Sequence, residues 1–530
     1  MSRNRGQGRE REGQGRKRER ARSAPGTARR TARLAVHRAT VACVAVTALV
    51  ATAGVASAHP ISPGGVTAPV PLPAIYAGAG VTVAGTAIWL GIAGDATGPS
   101  ASRPMARLTP AATRALGTIA RVAILTLFAA TLAHGVVGRQ VPAENLATVV
   151  IWPLLLKGTG LVAIVAGSPW RAISPWETLY DALAAVEGEE IALTAYPARL
   201  GHWPAVVGFV AGVGVLENLT LVTRDPAVTV AVAAGYAVAM LAGGVAFGRR
   251  WFARADALAV LFSLLGRVAV LDVERSDDGS LTVGVRAPWS GAADPLGTTS
   301  LAVFVVAALY TVSFDGFTLT RPYQRLLDDA RAALGVGTAD VALYLAGLLA
   351  FVASYLVAAA VVERAGRSAR DGERSVGGAV GDSDRAGTGH AGTDRAGVED
   401  DLVTDRGTLA TAHAFGGTLV PIAAGYEVAH NYPYVAANLG QAVAVARDLA
   451  LGTGGGQVSL LGWLPLAGVW ASQVALVVAG HLVAVIAAHR VATRRFPTVA
   501  AARRGHAPLV VVMVGYTLVS LWIVSRPVVG

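Results

Sequence analysis

The chain has 530 residues, 53% of them apolar and only 15% charged, with a mean hydropathy of +0.51. A soluble protein carries about 25% charged residues, so this composition argues against a soluble enzyme of this length. The formal charge of +11 does not mark a nucleic-acid surface either, because residues 1–38 hold twelve Arg and one Lys against three Glu, leaving +1 for the other 492 residues.

The basic tail runs into an apolar stretch, Val41 to Val55, followed by Ala56-Ser57-Ala58. Basic, apolar and small-residue regions in that order predict a secretory signal segment over residues 1–58. Arg29-Arg30 admits a twin-arginine reading, and the long basic region would also fit a start downstream of Met1. Cys43 is the single cysteine and lies inside the apolar stretch. Cleavage after Ala58 would leave a chain without thiols, and so without disulfides or Cys-based zinc sites. It would also leave His59 at the N-terminus, where an amine and an imidazole together can chelate a Cu(II)-type metal.

Ten apolar runs follow, at about 74–94, 116–136, 146–166, 204–223, 227–247, 298–316, 340–362, 409–430, 464–489 and 506–525. Runs of about 20 residues cross a bilayer core of about 30 Å. They predict an all-α, polytopic integral membrane bundle of about ten transmembrane helices after the signal segment. With the mature N-terminus outside, the inward connections hold 23 Arg and the outward segments hold 7, the bias of the positive-inside rule. The expectation is therefore a cell-membrane protein with both termini extracytoplasmic and the lipid bilayer as its surroundings. Residues 59–363 form a seven-span region. It includes a cytoplasmic insert, 249–297, that reads as an interfacial helix and a hairpin around Asp277-Asp278-Gly279. Residues 364–406, rich in Gly, Asp and Arg and repeating Asp-Arg-Ala-Gly, read as a disordered linker. Residues 407–530 form a three-span region, and 321–336 read as an amphipathic helix on the outer surface.

Ionisable groups at membrane depth are costly and therefore candidates for function. Glu217, Asp315, Glu427 and His430 fall in the outer parts of their spans, with Asn218 and Gln473 as neutral company. Lys157 lies near the middle of its span, His481 deeper, His413 towards the cytoplasm, and His134 at the outer end of the second span. Glu427 and His430 are i,i+3 and share a helix face, a spacing used by carboxylate-bridged metal sites. Pro421 should kink their helix. His413, 14 residues from Glu427, is about 21 Å away along the axis and cannot join them. Structural readings compete: hydrogen bonding between helices for Glu427 and His430, a buried pair for Glu217-Asn218, an interfacial cap for Asp315, a solvated His134, and Lys157 neutralising a carboxylate. There is no P-loop, no Gly-x-Ser-x-Gly elbow and no His-Glu-x-x-His.

Four segments in order resemble a family of polytopic prokaryotic membrane proteins known as fenitrothion hydrolases. They are Ser168-Pro-Trp-Arg-Ala-Ile-Ser-Pro-Trp176, Leu419-Val-Pro-Ile-Ala-Ala-Gly-Tyr-Glu-Val-Ala-His430, Gly480-His481 and Val514-Gly-Tyr-Thr-Leu-Val-Ser-Leu-Trp522. The resemblance runs from about residue 140 to the C-terminus and leaves out the basic start and the 364–406 linker. It implies a membrane-bound hydrolase of aryl phosphotriesters or phosphorothioates, and it brings no established catalytic residues; His430 and His481 are where its motifs meet ionisable groups. Three functions then stand side by side. The first is a hydrolase of apolar esters assisted by a divalent transition metal, with Glu427, His430, Glu217 and Asp315 as catalytic groups and Glu427, His430, His134 and His59 as candidate ligands. The second is a transporter or ion/proton pathway that adds Lys157, Asn218, Gln473 and His481. The third is a non-catalytic assembly partner in which these groups hold helices together. Substrate and oligomeric state are open at this point.

Overall fold

A computed structural model of the protein describes residues 72–93, 102–377, 407–452, 456, 458–496 and 498–524. The expected signal segment, Cys43, His59 and residues 378–406 of the expected linker lie outside the described residues.

The described chain is an all-α bundle in which eight helices are long and apolar enough to cross a membrane. The chain is thus a multi-pass membrane protein. In order the elements are α1 Leu72–Ala93, β1 Arg103–Leu108, α2 Pro110–Val137, α3 Leu146–Ala166, α4 Pro175–Glu187, α5 Trp203–Glu217, α6 Pro226–Phe247, α7 Arg249–Ala255, α8 Ala257–Leu265, β2 Leu271–Arg275 and β3 Leu281–Val285. They continue with α9 Thr299–Thr318, α10 Arg321–Leu334, α11 Thr338–Gly377, α12 Thr408–Gly416, α13 Val420–Leu451, α14 Leu466–Arg495 and α15 Val499–Val524. Local chemistry sets many of the starts. Thr109, Asn145, Ser174, Asp225, Asp256, Thr298 and Thr320 each accept a backbone N–H of the turn that follows. Pro110, Pro175 and Pro226 occupy first helical positions, where no N–H is needed.

Two expected spans depart from simple helices. The fourth, α5, has 15 residues and ends at Glu217, so it rises at most about 22 Å, short of a full crossing. Beyond it Asn218 Nδ2 donates back to Val213 O at 2.8 Å and Thr220 Oγ1 to Leu216 O at 2.6 Å, and the chain turns into a 3-10 segment, Leu221–Arg224. The eighth is broken. α12 stops at Gly416, a 3-10 turn covers Gly417–Leu419, and α13 starts afresh with Pro421 in its first turn. Proline lacks the N–H that an unbroken helix would need there. Backbone helix also continues to Gly377, into the stretch that composition assigns to the linker.

A three-stranded antiparallel sheet, in the order β1-β3-β2, joins two connections far apart in sequence. β2 and β3 turn at Asp277-Asp278-Gly279, where Gly279 has φ 81°, a left-handed conformation that suits glycine. Arg107 of β1 reaches across to Asp278 at 2.7 Å and Ser280 at 2.9 Å. Hydrogen bonds from Ser280, then the Arg107 charge, hold the Asp278 carboxyl below its usual range. Since β1 precedes α2 and β3 precedes α9, both connections lie on one face of the bundle. Asp181 in α4 pairs with Arg121 and Arg249, which gathers α2, α4 and α7 on that face too.

Helices α13 and α14 cross at two glycines. A Cβ on Gly480 would stand 2.6 Å from Pro421 O and 3.1 Å from Gly425 Cα, so the backbones touch. Without a hydrophobic drive between helices in lipid, such close approach supplies packing. The crossing sits one turn before Glu427 and His430, and so fixes where both side chains point.

Candidate functional site

Lys157 and Glu217 both stand in wide, π-helical turns. Within α3 the π-helical segment is Ile151–Gly158, and within α5 it is Val210–Glu217. Pro153 explains the first, because it has no N–H to give and its ring crowds the preceding turn. The turn closes with Thr159 N donating to Leu154 O, five residues back. Gly212 and Gly214 loosen the second. A π turn re-aims the residues that follow it and is common at functional sites. Here one turn delivers an ammonium and the other a carboxylate to the same point.

The Lys157 ammonium lies 3.2 Å from Glu217 Oε1 and 4.0 Å from Glu427 Oε1. Beside it His430 Nε2 meets Asp315 Oδ2 at 2.8 Å, and the Tyr426 ring stacks on the imidazole with centroids 5.9 Å apart. All five side chains are at most 14% exposed. Glu217 Oε2 is buried and finds no hydrogen-bond partner among the described residues. Four helices therefore contribute to one cluster, with three carboxylates against one lysine and one histidine. Lys157, Asn218, Asp315 and Glu427 line a cavity, with Thr311 and apolar neighbours such as Leu156, Val213 and Val312. It measures about 30 Å³, room for two or three waters at about 10–15 Å³ each.

The sequence-level candidates thus divide. Glu217, Asp315, Glu427, His430 and Lys157 are brought together, with Asn218 on the same cavity wall. His134 is engaged elsewhere, its Nδ1 accepting from Leu146 N at 3.2 Å. Gln473 is half-buried on α14 and does not line the cavity. His413 pairs with Thr299 at 3.1 Å at the opposite end of α9 from Asp315. For the metal reading, no three His, Cys, Asp or Glu side chains among the described residues could hold an ion. Glu427 turns to Lys157 and His430 to Asp315, so the cation between the two glutamates is the lysine's own ammonium.

A string of further polar groups leads away from the cluster along α14 and α15, mostly unmarked by sequence reasoning. Ser313, two residues before Asp315, bonds the Tyr516 hydroxyl, and the Tyr516 ring lies 6.0 Å from His481. His481 Nδ1 is 2.9 Å from Val477 O, so it must donate, leaving Nε2 as the lone-pair nitrogen. That atom is buried and has no partner among the described residues. Deeper still, the rings of His489 and His506 meet edge to face at 5.5 Å. At the same end Arg495 pairs with buried Glu363 at 3.0 Å, with Thr411 bonded to both. His481 and His489 are eight positions apart, about 80° around the helix, so they share only a broad face; that spacing was the available signal.

The two Ser-Pro-Trp copies have a structural destination. Trp170 and Trp176 donate their indole N–H groups to Asp256 Oδ2 at 3.0 and 2.8 Å, and Tyr236 donates to Oδ1 at 2.8 Å. Asp256 also caps α8 through Leu258 N at 2.9 Å. This carboxylate is fully buried and fully bonded. It ties the segment after α3 to the α7–α8 junction.

The chain was compared with protein-family models, with curated proteins and with solved structures, and none matches.

Proposed function

We propose that the protein moves protons, alone or coupled to a solute, through a protonation site centred on Lys157, Glu217 and Glu427. The observation that carries this reading is the Lys157 ammonium 3.2 and 4.0 Å from two carboxylates inside a membrane bundle. Desolvated charges there cost several kcal/mol each unless they are closely paired. Three carboxylates for one lysine and one histidine make the cluster a natural proton acceptor. In this reading Glu217, with one oxygen on Lys157 and the other without a partner among the described residues, takes up and releases the proton. Lys157 responds by shifting between Glu217 and Glu427. The inward relay would run through His430, Tyr516 and His481 towards His489 and His506.

The test is proton flux into liposomes containing the purified protein and an internal pH-sensitive dye, driven by an imposed potential. The expected result is flux above empty liposomes, reduced at least tenfold by Glu217→Gln and by His481→Phe. Flux equal to that of empty liposomes, or unaffected by both variants, overturns the proposal.

A second reading is favoured by the His430–Asp315 pair together with the resemblance of the surrounding motifs. An imidazole held by a carboxylate suits a general base that activates water, and Lys157 could stabilise the oxyanion of an apolar (phospho)ester. Release of a phenol from a neutral aryl phosphotriester, lost in His430→Gln, would favour hydrolysis over transport.

A further inference from the structure

Behind the charged cluster lies a second, apolar cavity of about 90 Å³ on the same measure, three times the size of the charged one. Its aromatic lining is built to be apolar. Trp152 donates its indole N–H outward to Thr229 at 3.0 Å, and Trp176 and Tyr236 spend their polar atoms on Asp256. No polar tip of these three side chains is left for the interior. The space is also kept open, because a Cβ on Gly212 would meet nothing within 4 Å. Such a void would hold several waters by volume, yet offers them almost no hydrogen-bond partners, so water is a poor occupant.

Its walls belong to the machinery already described. Ile151, Trp152, Leu155 and Leu156 come from the π-helical part of α3, and Gly212 and Val213 from that of α5. Leu156 and Val213 line both cavities. We propose that this cavity is a binding site for a small uncharged aromatic or branched-alkyl molecule taken from the bilayer, and that its occupancy bears on the π turns that carry Lys157 and Glu217. An occupant pressing on Leu156 adjoins Lys157 in the chain, and one pressing on Gly212 and Val213 sits one turn from Glu217. The inference rests on the cavity and its walls and stands apart from the proton reading.

The experiment uses a phenyl-trifluoromethyl-diazirine, a small apolar photoreagent, on the full-length protein in liposomes, with labelled residues located by mass spectrometry. Labelling of Trp152, Leu155 and Trp176 should saturate with reagent and fall at least fivefold under excess toluene. It should fall similarly in Gly212→Leu, which fills the space, and persist in Gly212→Ala. Lipid-facing Val162 and Val238, 50% and 65% exposed on the same helices, should label without saturation in every variant. Ala233→Leu fills the cavity from α6 should Gly212→Leu fail to fold. Cavity labelling that rises in proportion to reagent, as at Val162, and ignores the filling variants would mean ordinary acyl chains occupy the space, and would overturn the proposal.

Discussion

At the scale of single residues, the decisive contact is the one between Lys157 and Glu217. A buried ion pair contributes little net stability, but losing one partner strands the other. Lys157→Met should therefore cost about 3–5 kcal/mol, measured as the loss of thermal stability in detergent. Lys157→Met combined with Glu217→Gln should cost less than Lys157→Met alone, because the stranded carboxylate is gone. A double variant that costs the sum of Lys157→Met and Glu217→Gln made singly would show that the two side chains do not interact. Residue types and helix depth were enough to identify Glu217, Asp315, Glu427 and His430 as a candidate set and to suggest Lys157 as a counter-ion. Which residue faces which was not legible. Glu427 and His430 lie on one helix face, and i,i+3 spacing suggests shared work, yet one serves α3 and the other α9. That division depends on helix rotation, which tertiary packing decides. Tyr516, Ser313 and the His489–His506 pair went unnoticed for the same reason: each is ordinary in its own span and acquires a role only from a neighbour.

At the scale of elements, glycine and proline account for most departures from plain helices. Apolar length alone placed eight crossings well, because a run of about 20 apolar residues has few alternatives in lipid. It could not show that α5 stops short, or that α12 and α13 are separate pieces, since both regions are as apolar as their neighbours. Strand β1 also escaped notice: Arg103-Pro-Met-Ala-Arg-Leu108 has no alternation and pairs only because β3 offers an edge. The Gly425–Gly480 contact gives these small residues a measurable role. Gly480→Val should push α14 away from α13, and with it move Glu427 and His430 from their partners. The expected outcome is a loss of thermal stability of about 1–3 kcal/mol, typical of overpacking, whereas Gly515→Ala, where nothing lies within 4 Å, should be nearly neutral. Comparable melting for both variants would refute the crossing.

For the whole molecule, the question is which face points into the cell. The sheet and the Asp181 pairs put the connections after α1, α3 and α6 on one face. The arginine bias of the sequence predicts that this face is the cytoplasmic one, an expectation that geometry alone does not supply. With Cys43 replaced by Ser, Asp329→Cys in α10 should react with a membrane-impermeant maleimide on intact cells. Asp277→Cys at the hairpin should react only after permeabilisation. The reverse pattern would invert the topology while leaving the bundle itself unchanged.

The sheet also sets a timetable. Arg107 and its partner Ser280 are 173 residues apart in the chain, so at about 5–20 residues per second β1 is made about 9–35 s before β3 exists to receive it. For that interval β1, in the connection between α1 and α2, keeps an open edge. Arg103, Pro104 and Arg107 are the residue types that discourage a premature match. The register of the face that carries the sheet can therefore be set only once β3, which follows the fourth long helix, has been made.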